Sequence, residues 1–229
     1  MKVELISYSQ APEVTDENAL FENPPNLLEL VSYCARVSNP SNQLNNETAE
    51  KLVRYLVKHK HWSPLEMVSV CLEIETTRDI ARQILRHRSF SFQEFSQRYA
   101  DPTKDLDFVT RDARLQDTKN RQNSIECDNE YIAERWEEEQ LKVIEQSKKA
   151  YAWAIKNGIA KEQARAVLPE GNTISRMYMN GTLRSWIHYI ELRSANGTQL
   201  EHIDIALACA KAIAEVFPMA GEYVGNDIA

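Results

Sequence analysis

Arginine side chains cluster around one short stretch of the chain. Arg86, His87 and Arg88 follow one another directly, and Arg98 comes ten residues later, just after the hydroxyl group of Ser96. A planar guanidinium group binds phosphate oxygens in a bidentate manner, and a neighbouring hydroxyl group adds a further hydrogen bond. These residue types therefore predict a receptor for a phosphate monoester.

The first of these arginines must be positioned by a helix, because apolar residues recur at helical spacing over residues 77–88. On such a helix Arg78, Arg82 and Arg86 are four residues apart and share one face. Like charges in this arrangement repel by about 0.2–0.5 kcal/mol per pair. Either the nearby carboxylates of Glu75 and Asp79 or an anionic ligand must offset that repulsion.

Two conformations are compatible with the next segment, SFQEFSQRY over residues 91–99. If it is extended, alternate residues share a side, and Glu94, Ser96 and Arg98 face the same way. If it is helical, Glu94 and Arg98 form an i,i+4 ion pair. The sequence leaves both alternatives open.

The chain as a whole is acidic, with 34 Asp and Glu against 27 Lys and Arg and a formal net charge of −7. Nucleic acids are normally bound by a broad basic surface, which argues against an RNA-binding module that stacks bases on Phe90, Phe92 and Phe95. No window reaches the roughly 18 apolar residues of a membrane span, and the N-terminus lacks the features of a signal peptide. We therefore expect a cytoplasmic protein with small-molecule partners, no nucleic acid and no membrane.

The cysteines and histidines show no pattern of a disulfide framework or a metal site. The four cysteines are far apart in the sequence: Cys34, Cys71, Cys127 and Cys209. We expect reduced and mostly buried thiols. Among the five histidines only His59 and His61 are close together, and no cysteine or third histidine lies near them, so no metal site is predicted.

The predicted fold class is α+β, as a single domain over residues 1–229 with a central mixed α/β region and long helices. Alternation of apolar and polar residues predicts strands over residues 2–9 and 66–77. Helical periodicity predicts helices within residues 24–40, 46–62, 77–88, 130–158, 161–168, 183–193 and 200–217. Residues 110–130 are polar and weakly periodic, and are predicted to form a surface insertion or loop.

Four segments of the chain together resemble the flavin-dependent thymidylate synthases. The family signature, RHR followed by seven residues and Ser, is matched by Arg86, His87, Arg88 and Ser96. Three more segments match in the expected order: HKHWSPLE, EQARAVLP, and TLRSWIHYIELR with the later GTQLEH. The four segments span most of the chain, and the family fold has a central α/β region with long helices at the subunit contacts.

This resemblance implies methylation of dUMP at C5 to give dTMP. Methylenetetrahydrofolate would be the carbon donor, and FADH2, regenerated by NADPH, would be the hydride donor. It also implies a homotetramer in which several chains build each active site. The clustered arginines would then neutralise the phosphate of the nucleotide and the pyrophosphate of FAD.

The resemblance also implies two overlapping sets of binding residues. The dUMP set is Gln83, Arg86, Glu94, Phe95, Ser96, Gln97, Arg98, Arg165 and Arg193. The FAD set is Ser63, Arg86, His87, Arg88, Glu94, Thr182, Leu183, Arg184 and His188. Arg193 is the implied catalytic residue, because its permanent charge would stabilise the N3-ionised uracil ring and enrich C5 in electrons without a cysteine nucleophile.

Several matched residues also have structural interpretations. Glu162 and Arg165 have the spacing of an i,i+3 ion pair, and Thr198 with Glu201 has the form of a capping box. His61 is compatible with a helix C-terminus as well as with a flavin contact.

The remaining side chains are interpreted individually. His188 lies off the apolar stripe of its helix and is predicted to contact a ligand. Ser96 lacks an accompanying His and Asp, so a hydrogen-bonding role is favoured over a nucleophile. No role is assigned to His202. The alternative function is a non-catalytic nucleotide-binding protein, which would keep the phosphate site but have no need of Arg193.

Overall fold

The computed structural model describes residues 1–12, 21 and 24–225. The strands are β1 (Lys2–Tyr8), β2 (Ser69–Thr77), β3 (Ser91–Glu94), β4 (Arg114–Gln116), β5 (Ser124–Glu126) and β6 (Ile174–Thr182). The helices are α1 (Leu27–Ala35), α2 (Ala49–Lys58), α3 (Arg78–Ile84), α4 (Pro102–Asp105), α5 (Glu130–Lys156), α6 (Lys161–Ala164), α7 (Leu183–Arg193) and α8 (Leu200–Ala214). The predicted α+β class is confirmed.

A four-stranded antiparallel sheet in the order β1-β2-β6-β3 forms the centre of the fold. The predicted strand β2 is confirmed, and its inward residues Val70, Leu72 and Ile74 are fully buried. Helices α1, α2, α7 and α8 contribute to the same hydrophobic core. The motif-bearing elements α3, β3 and α7 all adjoin this sheet, which holds them in fixed relative positions.

Strand β6 is central to the sheet, yet the sequence analysis did not predict it. Its buried side is built from Ser175, Met177, Met179 and Gly181, so only two of its inward residues are large and apolar. At Gly181 a Cβ atom would lie 2.4 Å from Cδ1 of Phe90, and only glycine leaves room for that ring. Close packing therefore requires a small residue here, and this weakens the alternation of apolar and polar residues that would have predicted the strand.

Helix α7 carries the matched residues Arg184, His188 and Arg193 along one element. Its N-cap is Thr182, whose Oγ1 accepts a hydrogen bond from the backbone N–H of Ser185 at 3.3 Å. The buried face of the helix includes Trp186, whose indole N–H donates to the carbonyl oxygen of Val70 at 2.9 Å. The predicted helix is confirmed over residues 183–193, and Arg193 is its last residue.

Helix α8 begins after Gln199, which makes no side-chain capping bond. The predicted capping box of Thr198 and Glu201 is therefore wrong. The Glu201 carboxylate instead pairs with Arg114 on β4 at 2.5 Å. This contact holds the β4–β5 hairpin against the start of α8, so the segment 110–130, predicted to be a surface insertion or loop, contains a short hairpin.

Helix α5 is predicted by its periodicity and ends next to Gly158, whose φ of 77° lies in the left-handed region. It packs through Tyr151 and Ala154 against Ala164 and Leu168, in a cluster separate from the main core. Large apolar side chains remain exposed along the rest of the helix: Tyr131, Ile132, Trp136, Leu141, Val143 and Trp153.

Helix α3 is shorter than predicted and ends at Ile84. Arg86 lies beyond the helix, so the predicted face of three arginines is wrong. Of the two that remain on the helix, Arg78 is buried and Arg82 is exposed. In the described ranges, none of the helices has the length and apolar character needed to cross a bilayer.

Candidate active site

The turn between α3 and β3 carries the RHR sequence. His87 and Phe90 are tied into the turn by backbone hydrogen bonds to Ile84 and His87 respectively, at 3.0 and 3.3 Å. Arg86 and Arg88 point to solvent, whereas the His87 ring is partly buried. Among the described residues neither arginine has a carboxylate within ion-pairing distance. The turn therefore presents two free cations and directs its histidine inward.

His87 meets Arg193 across 106 residues of sequence. The Arg193 Nε–H donates to Nε2 of His87 at 2.9 Å, so the proton of the neutral imidazole lies on Nδ1. Burial, together with the positive charges of Arg193 and Arg86, lowers the pKa of His87 to about 4. The two Nη groups of Arg193 make no hydrogen bond to any residue in the described part of the chain.

A second contact network lies behind this pair. The side-chain amide of Gln83 bonds Gln199 through Nε2 at 2.9 Å and His202 through Oε1 at 3.2 Å. His202 is fully buried, and its Nε2 meets the phenol oxygen of Tyr189 at 3.1 Å. The Tyr189 ring in turn packs edge-on against His87, with ring centroids 5.0 Å apart. Gln83 is therefore held in place by the protein itself.

Glu94 ends strand β3 and connects three elements. Its carboxylate accepts a hydrogen bond from Ser175 Oγ at 2.8 Å and lies 3.6 and 3.5 Å from the guanidinium groups of Arg78 and Arg82. The predicted offsetting carboxylates, Glu75 and Asp79, instead pair with Arg176 and Arg111.

The segment after Glu94 adopts neither of the two predicted conformations throughout. It is extended as far as Phe95, whose N–H donates to the carbonyl oxygen of Arg176 at 2.8 Å, and then turns, with the N–H of Tyr99 donating to Ser96. Gln97 becomes buried, and its Nε2 atom has no hydrogen-bond partner among the described residues. Arg98 pairs with Glu162 at 3.2 Å and not with Glu94.

Arg165 begins a 3-10 helix, Arg165–Val167, directly after α6. Because Glu162 is bound to Arg98, the predicted i,i+3 pair between Glu162 and Arg165 is wrong. Arg165 is half-buried and lies close enough to Arg78 for their charges to repel. In the part of the chain that the structure describes, it has no carboxylate partner within 4.0 Å. It is a further cation without a counter-ion in the described ranges of the chain.

The remaining matched residues lie at the start of α7 and on the Ser63–Glu66 3-10 helix. Arg184 pairs with Glu66 at 2.5 Å, and the exposed His188 ring packs edge-on against Trp62 with centroids 4.4 Å apart. Ser63 is exposed, whereas Leu183 is fully buried and donates its N–H to the carbonyl oxygen of Val68. The Leu183 side chain is therefore turned away from any ligand at this surface.

The matched residues thus form two groups. The first surrounds the RHR turn and includes Gln83, Glu94 and Arg193. The second, at the N-terminus of α7, comprises Ser63, Thr182, Arg184 and His188. Arg184 and Arg193 are nine residues apart on one helix, which corresponds to about 14 Å along its axis. His61 joins neither group through a ring contact, since its aromatic neighbours are Tyr55 and His59.

Sequence reasoning missed three side chains of the network. Tyr189 lies on the apolar face of α7, where the sequence pattern indicates an ordinary aromatic core residue. Arg114 lies in the segment predicted to be a surface insertion or loop, and no role was predicted for His202. The sequence offered one signal for this network, namely a histidine within the otherwise apolar buried face of α8.

The thiols are unpaired, but the expectation of mostly buried cysteines is wrong. Cys209 is buried, whereas Cys34, Cys71 and Cys127 are half-buried. Burial raises the pKa of the Cys34, Cys71 and Cys209 thiols, which disfavours the thiolate that a nucleophile requires.

The free energy of unfolding should fall as the pH is lowered from about 6.5 towards 4. Burial and neighbouring positive charges lower the pKa of His202 to about 3 and that of His87 to about 4, whereas both start from about 6.5 in the unfolded chain. Above pH 6.5 both states are neutral and this contribution is constant. Below it the unfolded chain takes up protons first, so the folded state loses relative stability.

Urea unfolding at about pH 7 and about pH 5.5 tests this, because most carboxylates titrate below that interval. The stability difference between the two pH values should be smaller in a His202→Asn variant than in the wild-type protein. An unchanged difference would contradict a depressed pKa at His202.

Comparison with known proteins adds a second line of information. A family model described as "Thymidylate synthase complementing protein" matches residues 19–219. A probable flavin-dependent thymidylate synthase of Paramecium bursaria Chlorella virus 1 is 53% identical over 190 residues, covering 83% of this chain and 87% of the relative. The flavin-dependent thymidylate synthase of Synechocystis sp. is 46% identical over 218 residues, covering 95% of this chain and 96% of the relative.

A solved structure is similar over nearly the whole chain. It is the UMP/dUMP methylase PolB from Streptomyces cacaoi bound with 5-Br UMP, with 25% sequence identity and a TM-score of 0.77. The match covers 97% of this chain and 92% of that protein.

Proposed function

We propose, because this chain belongs to the flavin-dependent thymidylate synthase family, that it methylates C5 of dUMP to give dTMP. Methylenetetrahydrofolate would donate the one-carbon unit, and NADPH would be the reductant. The similar structure is named a UMP/dUMP methylase, which supports a pyrimidine nucleotide as the substrate. We also propose that the protein is cytoplasmic, as expected from the sequence.

One observation carries this proposal: among the described residues, the Arg193 guanidinium group is hydrogen-bonded through Nε alone. His87 accepts that one hydrogen bond, and the Nη edge keeps its donors free. A planar edge of this kind suits an anionic pyrimidine ring, because the ionised N3 and an adjacent carbonyl oxygen can accept two parallel hydrogen bonds. Arg193 would thus stabilise the N3-ionised uracil and make C5 electron-rich without a covalent bond to the protein.

The nucleotide phosphate would be bound by Arg165 and Arg98, with Ser96 and the Gln97 segment beside it. Arg165 has no counter-ion among the described residues, so a phosphate would supply one. Arg98 would exchange or share its exposed pair with Glu162, which costs little because an exposed ion pair contributes only about 0–1 kcal/mol.

The residues present also fit an anionic dinucleotide. The exposed cations Arg86 and Arg88 suit the pyrophosphate of FAD, and the ring of His188 beside Trp62 offers a flat contact surface. Bound FAD would supply the hydride that reduces the transferred carbon unit. Ser63, Thr182 and Arg184 would contact the same cofactor, with Arg184 already partly neutralised by Glu66.

We further propose a homotetramer with shared active sites. The groups at the two ends of α7 are about 14 Å apart along the axis, so one chain offers Arg193 at one place and Arg184 at another. A second copy of the chain can supply the residues that each of these two groups lacks. The exposed apolar side chains of α5, including Trp136 and Trp153, supply a surface that a second copy would bury.

Light scattering of the purified protein tests the assembly. A mass near four times the chain mass of 26.4 kDa is expected. A monomer that still holds FAD at full occupancy would contradict shared sites.

Replacing Ser96 by alanine should leave measurable dTMP formation. The Ser96 Oγ accepts the backbone N–H of Arg98 at 3.4 Å, and in the described residues no histidine or carboxylate bonds it. Without such a base the hydroxyl group is a poor nucleophile, and its loss removes only a hydrogen bond to the nucleotide. A variant with no activity and unchanged dUMP affinity would restore the nucleophile interpretation.

The function itself is tested with the purified protein. Denaturation should release FAD, and a mixture with dUMP, methylenetetrahydrofolate and NADPH should yield dTMP. Binding of dUMP without FAD and without product would instead support the alternative of a non-catalytic nucleotide-binding protein.

A further inference from the structure

We propose that His202 is a positioning residue that holds the Gln83 side-chain amide in a fixed orientation towards the nucleotide. This inference rests on the proposed function, in which Gln83 contacts dUMP. His202 itself is fully buried and touches no ligand surface. It acts through one hydrogen bond, from its Nδ1 to Oε1 of Gln83 at 3.2 Å.

A continuous chain of hydrogen bonds contains this contact. It runs from Tyr189 through His202, Gln83 and Gln199 to Glu201. The successive distances are 3.1 Å, 3.2 Å, 2.9 Å and 2.9 Å. The last residue is also paired with Arg114 at 2.5 Å. The five side chains come from α3, α7 and the start of α8, so the chain forms only in the folded protein.

In each hydrogen bond of this row, the choice of donor and acceptor follows from the last residue, Glu201. Burial opposes ionisation of Glu201, but hydrogen bonds from Arg114 and Gln199 outweigh it and lower the pKa of this carboxyl group. An ionised carboxylate only accepts hydrogen bonds. Gln199 must therefore turn its NH2 group to Glu201 and its carbonyl oxygen to Gln83.

The same reasoning continues towards the histidine. Since Gln199 offers a carbonyl oxygen, Gln83 must donate from Nε2, and its Oε1 is left to accept. His202 must then carry its proton on Nδ1 and accept at Nε2 from the Tyr189 hydroxyl group. Burial and the charge of Arg193 lower the pKa of His202, which keeps the ring neutral and fits this single tautomer.

Gln83 therefore has a defined orientation with one bonding capacity left on each atom. Oε1 retains one lone pair and Nε2 retains one hydrogen. A pyrimidine nucleotide carries carbonyl acceptors and a sugar hydroxyl donor at fixed positions, so a flipped amide would present its donor and acceptor in exchanged positions. Glu201 and Gln199 select this orientation, and the Nδ1–H of His202 holds Gln83 in it through a second hydrogen bond, which favours one way of binding the nucleotide.

Two substitutions of His202 separate positioning from simple packing. In His202→Asn the amide nitrogen takes the place of Nδ1, so the donor to Gln83 is kept and the partner of Tyr189 is lost. In His202→Gln the amide reaches the place of Nε2, so the partner of Tyr189 is kept and the donor to Gln83 is lost. Tyr189→Phe is the matched control, since it removes the phenol group and leaves the bond to Gln83 intact.

Calorimetric dUMP affinity and melting temperature are measured on the FAD-loaded protein. We expect His202→Gln to bind dUMP about tenfold more weakly, the scale of one hydrogen bond. His202→Asn and Tyr189→Phe should lower the melting temperature and keep dUMP affinity within about threefold, which is less than one such bond. Affinity that follows the melting temperature across all three variants would overturn the proposal.

The wild-type protein provides a measurement that does not depend on variants that fold. Isotope-labelled histidine is sparse, with five positions in the chain, and nitrogen chemical shifts distinguish the two tautomers. A proton on Nδ1 of His202 near pH 7 is expected, and a proton on Nε2 would overturn the proposal. Failure of the wild-type protein to bind dUMP would refute the proposed function instead, whatever the tautomer.

Discussion

Arg193→Ala should lower dTMP formation by about two to three orders of magnitude, the scale for losing one transition-state donor, while flavin reduction by NADPH stays nearly unchanged. Arg193 ends helix α7, where a surface cation would gain only about 0.3–1 kcal/mol from the helix dipole. Its loss should therefore have little effect on folding. The large effect is expected only in the half-reaction that involves the uracil ring.

The contact with His87 makes this expectation specific. Arg193 donates one hydrogen bond, from Nε to Nε2 of His87, and its two Nη groups remain for the substrate. A lysine at this position would place a point charge nearby, but it would offer neither the planar edge nor the Nε contact. Arg193→Lys should therefore recover little of the lost activity.

Arg54→Ala is a suitable control, because Arg54 is an exposed arginine paired with Glu222 at 2.6 Å and also with Glu50. Exposed pairs contribute little, so both half-reactions should stay close to wild type. The two half-reactions are followed separately, by flavin absorbance under NADPH and by dTMP yield. Equal and small losses in both for Arg193→Ala would leave this residue as a helix-terminal cation without a chemical role.

Arg165→Ala should weaken dUMP binding by about 10- to 150-fold, which corresponds to the roughly 1.5–3 kcal/mol of a hydrogen bond to a charged group. Arg165 has no carboxylate partner in the described chain and lies near the like charge of Arg78. Removing it therefore breaks no ion pair of the protein and should not lower stability through lost contacts. The loss should appear in binding alone.

The substrate provides the sharpest control for this variant. Deoxyuridine lacks the phosphate, so its weak binding should be the same in wild type and Arg165→Ala. Calorimetric titration with both ligands gives the difference that belongs to the phosphate. A comparable loss with deoxyuridine would place Arg165 at another part of the nucleotide, or outside the site.

Part of the site could be predicted because it lies in contiguous residues. The RHR signature and the period of α7 are local features, and they identified Arg86, His87 and Arg88 and put Arg193 at a helix end, although the helix predicted through Arg88 ends at Ile84. Strand β6 escaped prediction for the opposite reason. Its identity depends on Phe90 packing against Gly181 and on two neighbouring strands, and none of these is visible within nine residues of sequence.

The fold class, the positions of the long helices and strand β2, and the family resemblance were determined by the sequence alone, because helical and strand periods are properties of neighbouring residues. The tertiary structure decided which side chains pair with each other. Arg98 has the spacing to pair with Glu94 but pairs with Glu162, because the chain turns after Phe95. His87 meets Arg193 across 106 residues and Gln83 meets Gln199 across 116, since the sheet register sets where α3 and α7 end. Side-chain contacts at such separations depend on how elements pack, and periodicity within one element carries no information about that.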